Sequence, residues 1–254
     1  AMMRQFEVKE WLETVAREKA SRAMLVPTML KRVIDAPDFQ KYDLSSLRVV
    51  TYGAASMPFE VIKKAIEVLP HVRFINAFGQ TETASTITIL GTEDHVIQGT
   101  EEEKAKKLRR LASSIGKALS DVEIGIMDDD GNLLPTGQVG VIVARGPRVM
   151  AGYWKDPEKT AKAITKDGWL RTGDVGWMDE ECYVYLSGRG DDMIIRGGEN
   201  ISPEEVEQVV QSHPAVEEAA VIGVPDPEFG QQPRAVVVLK AGAKATAEDI
   251  IEFT

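Results

Sequence analysis

Apolar residues at Val8, Trp11, Leu12, Val15 and Ala16 fall on one stripe of a helix, so Val8–Lys19 is expected to be helical and to pack that stripe on a sheet. Arg22–Val26 then reads as a strand closed by Pro27, with Thr28 placed to begin a helix through Val33. The pattern repeats. Leu47–Tyr52 is a buried strand, Gly53–Pro58 a turn, Phe59–Leu69 a helix and Val72–Phe78 a further strand. Strands alternating with helices predict a largely parallel α/β sheet over residues 1–115, a fold whose ligands collect at the carboxyl ends of the strands.

From Gly116 the texture changes. Val122–Met127, Val139–Ala144 and Val149 are short β runs spaced by turn residues such as Asp130-Gly-Asn132, so residues 116–187 are expected to form an antiparallel, β-barrel-like subdomain. A short helix at Asp156–Ile164 interrupts it, and Glu181–Leu186 reads as another strand. Gly188–Asp192 is glycine-rich, charged and without apolar content, as a connector would be. Residues 188–254 then read as a small α+β domain, with strands at Met193–Ile195, Val216–Val224 and Arg234–Leu239. Its helix, Pro203–Gln211, has Ser202 as N-cap, proline first and acids in the first turn. A last helix opens at Thr246 and the chain stops inside it, while Ala1-Met-Met-Arg4 resembles neither an initiator region nor a domain edge. Both ends lead us to expect further sequence.

Composition narrows the function. The 254 residues, 43% of them hydrophobic, suffice for one large domain or two smaller ones. A formal net charge of -10 and a pI near 5.0 argue against a nucleic-acid surface. The basic run Lys104–Arg110 follows Glu101–Glu103 and reads as a solvated helix face of mixed sign. The single cysteine, Cys182, lies in the alternation Cys182–Leu186 and reads as strand packing rather than a nucleophile, having no histidine near it in sequence. His71, His95 and His213 lack metal-ligand spacing, which leaves zinc unsupported. No apolar stretch reaches the ~20 residues of a membrane span, and the N-terminus lacks the apolar core of a signal peptide, so a reducing cytoplasm is the expected compartment.

Two strand ends carry candidate chemistry. At Phe74–Thr83 an apolar run breaks at Gly79 and presents Gln80, Thr81, Glu82 and Thr83 together: hydroxyls that can donate to phosphoryl oxygens, and a carboxylate of the kind Mg²⁺ favours. Taken alone the tetrapeptide reads more readily as a polar strand-to-helix turn with Thr81 as cap, and the motifs further along reverse that weighting. The small residues of Gly53-Ala-Ala-Ser56 would let a flat ring or a phosphate approach the backbone, or would simply serve a tight turn.

In order and spacing, Tyr52–Pro58, Asn76–Glu82, Gly140–Tyr153, Gly168–Gly176 and Gly188–Ser202 resemble the adenylate-forming superfamily of acyl-CoA synthetases, adenylation domains and luciferases. Arg196-Gly-Gly-Glu-Asn-Ile-Ser202 is most similar to the fatty and aryl acyl-CoA ligases. The resemblance implies attack of a carboxylate on the α-phosphorus of ATP to give acyl-AMP, then displacement of AMP by the thiol of coenzyme A. It also implies roles. Gly53, Ala54 and Ala55 would flank the adenine, and Asn76, Ala77, Phe78, Gly79 and Gln80 would wall the nucleotide, with Phe78 suited to stacking on the base. Thr81 would bond the α-phosphate and Glu82 would hold Mg²⁺. Asp174, in a glycine-framed loop, would accept the ribose hydroxyls, and Arg189 would reach ribose or phosphate as a fixed cation. Asp191 matches the hinge about which the small domain rotates, and Gly197 and Gly198 would line the pantetheine tunnel.

The chain departs from that family in three ways. The phosphate loop has no counterpart upstream, the lysine that orients the acyl carboxylate is absent, with neither Lys240 nor Lys244 in its context, and much of the N-terminal part of the large domain is unrepresented. The reading is therefore of an incomplete fragment of an acid–thiol ligase. An adenylation domain loading a carrier protein and a non-catalytic nucleotide-binding module stand beside it. Partners are a small carboxylic acid, ATP and coenzyme A. The particular acid and the oligomeric state are not legible.

Overall fold

The first helix forms as α1 (Val8–Glu18), burying Trp11, Leu12 and Val15 and ending where Lys19 turns left-handed at φ 51. β1 (Arg22–Leu25) leads into α2 (Pro27–Ile34). Pro27 opens that helix instead of closing the strand, because at the first helical position its missing N–H has no partner to lose. β2 (Val49–Gly53), α3 (Phe59–Val68) and β3 (Arg73–Phe78) follow. The computed structural model describes residues 3–254, the side chain of Asp191 excepted. These divide into two units, one comprising residues up to Ile124 with Ala144–Leu170 and Asp179–Tyr185, the other Gly125–Val143, Arg171–Met178 and Leu186–Thr254.

In the first unit β1, β2 and β3 are parallel, with Val50 level with both Ala23 and Phe74. Leu30, Val33, Leu47, Val50, Ile62 and Phe74 are fully buried around them. The parallel pattern stops there. β4 (Thr88–Leu90) runs antiparallel to β3, and β5 (Ser114–Ala118) antiparallel to β4, so the sheet is mixed. The connection from Phe78 to Thr88 is shorter than the dozen or so residues a parallel crossover takes, which leaves an antiparallel return as the available pairing. Neither strand stands out in the sequence. β4 has three residues, and β5 contains Gly116 at φ +85, where a Cβ would lie 2.0 Å from the Ile89 carbonyl.

Between them lies α4 (Glu101–Ser113), its N-terminus closed by a capping box of Thr100 and Glu103. Its last turn corrects the expectation of a solvated face, since Arg110 is buried. Nη1 of Arg110 lies 3.2 Å from Asp94 Oδ1, Nη2 lies 2.7 Å from Glu181 Oε2, and the guanidinium stacks 3.6 Å over the Tyr183 ring. The Tyr183 hydroxyl donates to the same Asp94 oxygen at 2.9 Å, and burial, then that carboxylate, pushes the phenol up to about 12.

β6 (Glu123–Met127), β7 (Gly140–Arg145), α5 (Pro157–Ala163), β8 (Leu170–Met178) and β9 (Val184–Arg189) come next in the chain. Their strands lie in the order β9-β8-β7-β6, a meander, and β9 opens against β5 with Tyr185 opposite Ser114. Cys182 is not in a strand. It is exposed, at φ 64, in a turn organised by Asp179, whose Oδ1 accepts from the backbone N–H of Glu181 and of Tyr183 at 2.9 Å each. That side-chain turn ends the alternation the sequence suggested and starts β9 at Val184.

In the second unit, β10 (Ile194–Arg196), β11 (Glu199–Ile201), β12 (Val216–Asp226) and β13 (Gly230–Leu239) form a sheet ordered β11-β10-β13-β12. α6 (Pro203–Ser212) is capped as expected, Ser202 Oγ accepting from Glu205 N at 3.3 Å. α7 (Ala247–Phe253) has a capping box of Thr246 and Asp249. Val210, Val216, Ala219 and Ile250 make one apolar cluster, completed by Val206, Val237, Leu239 and Ala245. Among the described residues no helix is long and apolar enough to cross a membrane.

His95, in the 3₁₀ turn Thr92–His95, is buried, and loss of hydration pushes its imidazole down to about 4. The unfolded chain protonates this ring near its ordinary value of 6.5, so neutral His95 contributes fully above that pH and its contribution is lost as acid is added toward 4. Between pH 7 and pH 4.5 the unfolding free energy should fall by about 2–3 kcal/mol more in the wild type than in His95→Gln, measured by urea unfolding. Parallel pH curves would contradict this.

Candidate functional site

In the first unit β3 ends at Phe78 and the chain folds tightly back. Ile87 N donates to Phe78 O at 2.8 Å and Ser85 N to Gln80 O at 3.2 Å, closing a small loop around the 3₁₀ turn Thr81–Thr83. The N-cap is Gln80 and not Thr81, and Thr83 returns to it, its buried Oγ1 accepting from Gln80 N at 3.1 Å and donating to Gln80 O at 3.0 Å. Thr81 is left exposed at the tip. Gly79 is demanded by the fold, because a Cβ there would sit 1.6 Å from the Ser85 carbonyl oxygen. Phe78 packs against the buried cluster of Ile87, Val122 and Ala144, which by itself accounts for an aromatic residue at this position.

Glu82 is held at both ends. Its carbonyl accepts from Met150 N at 2.8 Å, and its Oε1 accepts the Tyr153 hydroxyl at 2.9 Å. That bond to a carboxylate is the main reason the Tyr153 phenol lies above its ordinary pKa. Two stretches singled out in the sequence, Asn76–Glu82 and Gly140–Tyr153, thus meet. The pairing of Glu82 with Tyr153 was not foreseen, since nothing in spacing marks two residues so distant in the chain. Tyr153 is half-buried, and Trp154 beside it is exposed.

Gly53 ends β2 level with Ala77, and a Cβ on it would lie 2.1 Å from the Ala77 carbonyl oxygen, so close pairing of β2 and β3 alone requires glycine there. Ala54 and Ala55 follow as an exposed turn, Ala54 at φ 68. Asn76 lies half-buried on β3 between Tyr52 and Leu90, and Gln80 is half-buried at the loop entrance.

The remaining expected contacts belong to the second unit. Asp174 stands on β8, in a nine-residue strand instead of the loop the flanking glycines suggested, and Gly173 before it takes φ +82. Thr172 fixes this bend, its Oγ1 accepting from Asp174 N at 3.1 Å and donating to Ile142 O at 2.9 Å. Burial raises the Asp174 carboxyl pKa, and the Arg189 guanidinium opposes that shift. A Cβ on Gly173 would lie 3.3 Å from Arg189 Nη2, so the arginine lies over the glycine. Glu204, in the first turn of α6, is half-buried, and its carboxyl is raised by burial, then by Glu207, Asp174 and Asp192. The sequence showed Glu204 only as a helix-opening acid.

Arg189 ends β9, and Gly190–Asp192 is a 3₁₀ turn; the Asp191 side chain lies outside the described residues. Gly197 and Gly198 form the two-residue turn between β10 and β11 at φ +58 and +91, values that glycine adopts without strain, so the hairpin itself explains both. Among the described residues, no group of three or more His, Cys, Asp or Glu could hold a metal ion. One carboxylate with substrate phosphates is nonetheless the usual way Mg²⁺ is bound, and Glu82, with Oε1 engaged by Tyr153, fits it.

The AMP-binding enzyme family matches residues 1–154, and the AMP-binding enzyme C-terminal domain matches residues 205–254. The chain belongs to the AMP-binding enzyme family. It is 39% identical over 249 residues to the mitochondrial medium-chain acyl-CoA ligase ACSF2 of Bos taurus, covering 98% of this chain and 38% of the relative. Among solved structures it resembles the amide bond synthetase McbA of Marinactinospora thermotolerans (37% identity, TM-score 0.88, 99% of this chain and 48% of that one). It also resembles ATP-bound MatB of Rhodopseudomonas palustris (32% identity, TM-score 0.86, 99% and 47%). The chain spans about two fifths of the length of the curated relatives it matches.

The loop after β3 depends on Gly79. Gly79→Ala should cost about 3 kcal/mol of stability, with faster amide exchange over residues 80–86 than over β1 and β2. Unchanged exchange in that loop would contradict the packing described.

Proposed function

We propose that the chain is part of an ATP-dependent acid–thiol ligase, activating a carboxylic acid as acyl-AMP and passing the acyl group to coenzyme A. The observation that carries this reading is Glu82, fixed by Met150 N and Tyr153 Oη at the tip of a loop whose exposed hydroxyl is Thr81. A fatty acid is favoured by similarity to a medium-chain acyl-CoA ligase. An aryl acid is the other member of the expected class.

On this reading Thr81 donates to the α-phosphate while the turn Gly53–Ala55 lies beside the adenine and Asn76–Gln80 walls it. Glu82 would hold Mg²⁺, which when bound offsets the charge that builds on the phosphates in the transition state. Tyr153 keeps the Glu82 carboxylate oriented for that task, so little reorganisation is required as ATP binds. In the second unit Asp174 accepts the ribose hydroxyls, and its raised pKa reflects a carboxyl partly withdrawn from water and ready to exchange a poor environment for ligand donors. Arg189 supplies the fixed positive charge. We further propose a domain boundary after residue 187, with Asp191 as its pivot and Gly197 and Gly198 beside the pantetheine arm, and a cytoplasmic setting.

The full-length protein, given ATP, Mg²⁺, coenzyme A and a series of fatty and aryl acids, should release AMP and pyrophosphate and form an acyl-CoA thioester. Pyrophosphate release without thioester, or with thioester only on a carrier protein, would overturn the choice of coenzyme A. Asp174→Ala should weaken ATP binding by roughly 1–3 kcal/mol, read by calorimetry, and an unchanged affinity would remove Asp174 from the site.

A further inference from the structure

The β2–β4 region holds a buried polar contact that the proposed chemistry does not use. Tyr52, 1% exposed, is the last large side chain of β2 and immediately precedes the turn Gly53–Ala55. Its hydroxyl lies 2.9 Å from Nε2 of His95, which is 3% exposed, and the two rings meet edge to face at 5.7 Å between centroids. On the other side of the imidazole, Nδ1 lies 2.6 Å from the carbonyl oxygen of Gly91, the residue that follows β4. A neutral ring satisfies both contacts at once, donating from Nδ1 to Gly91 and accepting the Tyr52 proton at Nε2. Phe74 of β3 packs against the same ring at 6.3 Å.

These partners belong to three neighbouring strands. In register, Tyr52 lies level with Asn76, and Asn76 with Leu90, the residue before Gly91. The imidazole therefore fastens the carboxyl end of β2 to the end of β4, with β3 between them. The turn after β2 and the loop after β3 are the two segments assigned to the base and phosphates above. Ala54 and Ala55, which form the turn, are exposed and carry only methyl groups.

We propose that His95, acting through Tyr52, is a positioning residue for the nucleotide: it sets the height of the Gly53–Ala55 turn against the loop Gly79–Ser85 and so fixes the width of the space offered to the base. The proposal rests on the nucleotide reading of these loops. It separates a buried hydrogen bond that shapes a binding surface from one that merely stabilises the fold, because removing it should show in one Michaelis constant and not in all.

Steady-state kinetics of the full-length protein test this with Tyr52→Phe, His95→Leu and His95→Gln, each first checked for a cooperative melt. Tyr52→Phe and His95→Leu should raise KM for ATP about tenfold, with kcat and the KM of the acid within about twofold of wild type, the size expected when one buried hydrogen bond is lost. His95→Gln, whose amide can still donate to Gly91 and accept from Tyr52, should keep KM for ATP within about threefold of wild type. Variants that lower the melting temperature and leave KM for ATP unchanged, or that depress kcat and every KM alike, would overturn the proposal. If the wild type binds ATP and the variants bind it equally well by calorimetry, only the positioning role fails. If the wild type binds neither ATP nor AMP, the nucleotide reading itself fails, and this proposal with it.

Discussion

Glu82 is the residue on which the description of the first unit turns. Its backbone carbonyl and its side chain each take a hydrogen bond from the Met150–Tyr153 stretch, so a loop that could have been a passing strand-to-helix turn becomes a fixed platform. The platform has its own internal bracing. Thr83, fully buried, closes the 3₁₀ turn on Gln80, and Gly79 allows the Ser85 backbone to come where a side chain would otherwise stand. In the proposed role, a carboxylate held this way would need little reorganisation to meet a cation, which is how fixed groups in a site outdo the same groups in water.

Much of the architecture was legible because hydrophobic periodicity governs burial. The stripe of Trp11, Leu12 and Val15, the β2 and β3 runs and the Ser202 cap of α6 all appear where the pattern places them. What was illegible has short-range causes. β4 is too short to show a period, and β5 has its pattern broken by Gly116, which is there to let the Ile89 backbone approach. Arg110 reads as a surface base by charge alone. Its burial depends on Asp94, Glu181 and Tyr183, which the fold brings to it from distant parts of the chain.

The candidate site divides the same way. Residue order and spacing pointed to Thr81, Glu82, Asp174 and Arg189, and the structure places Thr81 and Glu82 on the loop after β3 and Asp174 and Arg189 on β8 and β9. Several glycines in the same stretches have structural reasons of their own. Gly53 permits the close pairing of β2 with β3, and Gly197 and Gly198 form a hairpin turn, so their presence alone is weak testimony about a ligand. Tyr153 showed in the sequence only as the end of one motif and Glu204 only as a helix-opening acid, because what sets them apart is the Glu82 carboxylate for the one and burial for the other.

Hydrogen–deuterium exchange of the full-length protein with and without AMP reads the central claim most directly. Nucleotide should slow exchange in residues 53–56 and 78–86 of the first unit together, and leave β12 and β13 unchanged. Protection confined to other segments, or to only one of these loops, would contradict the account.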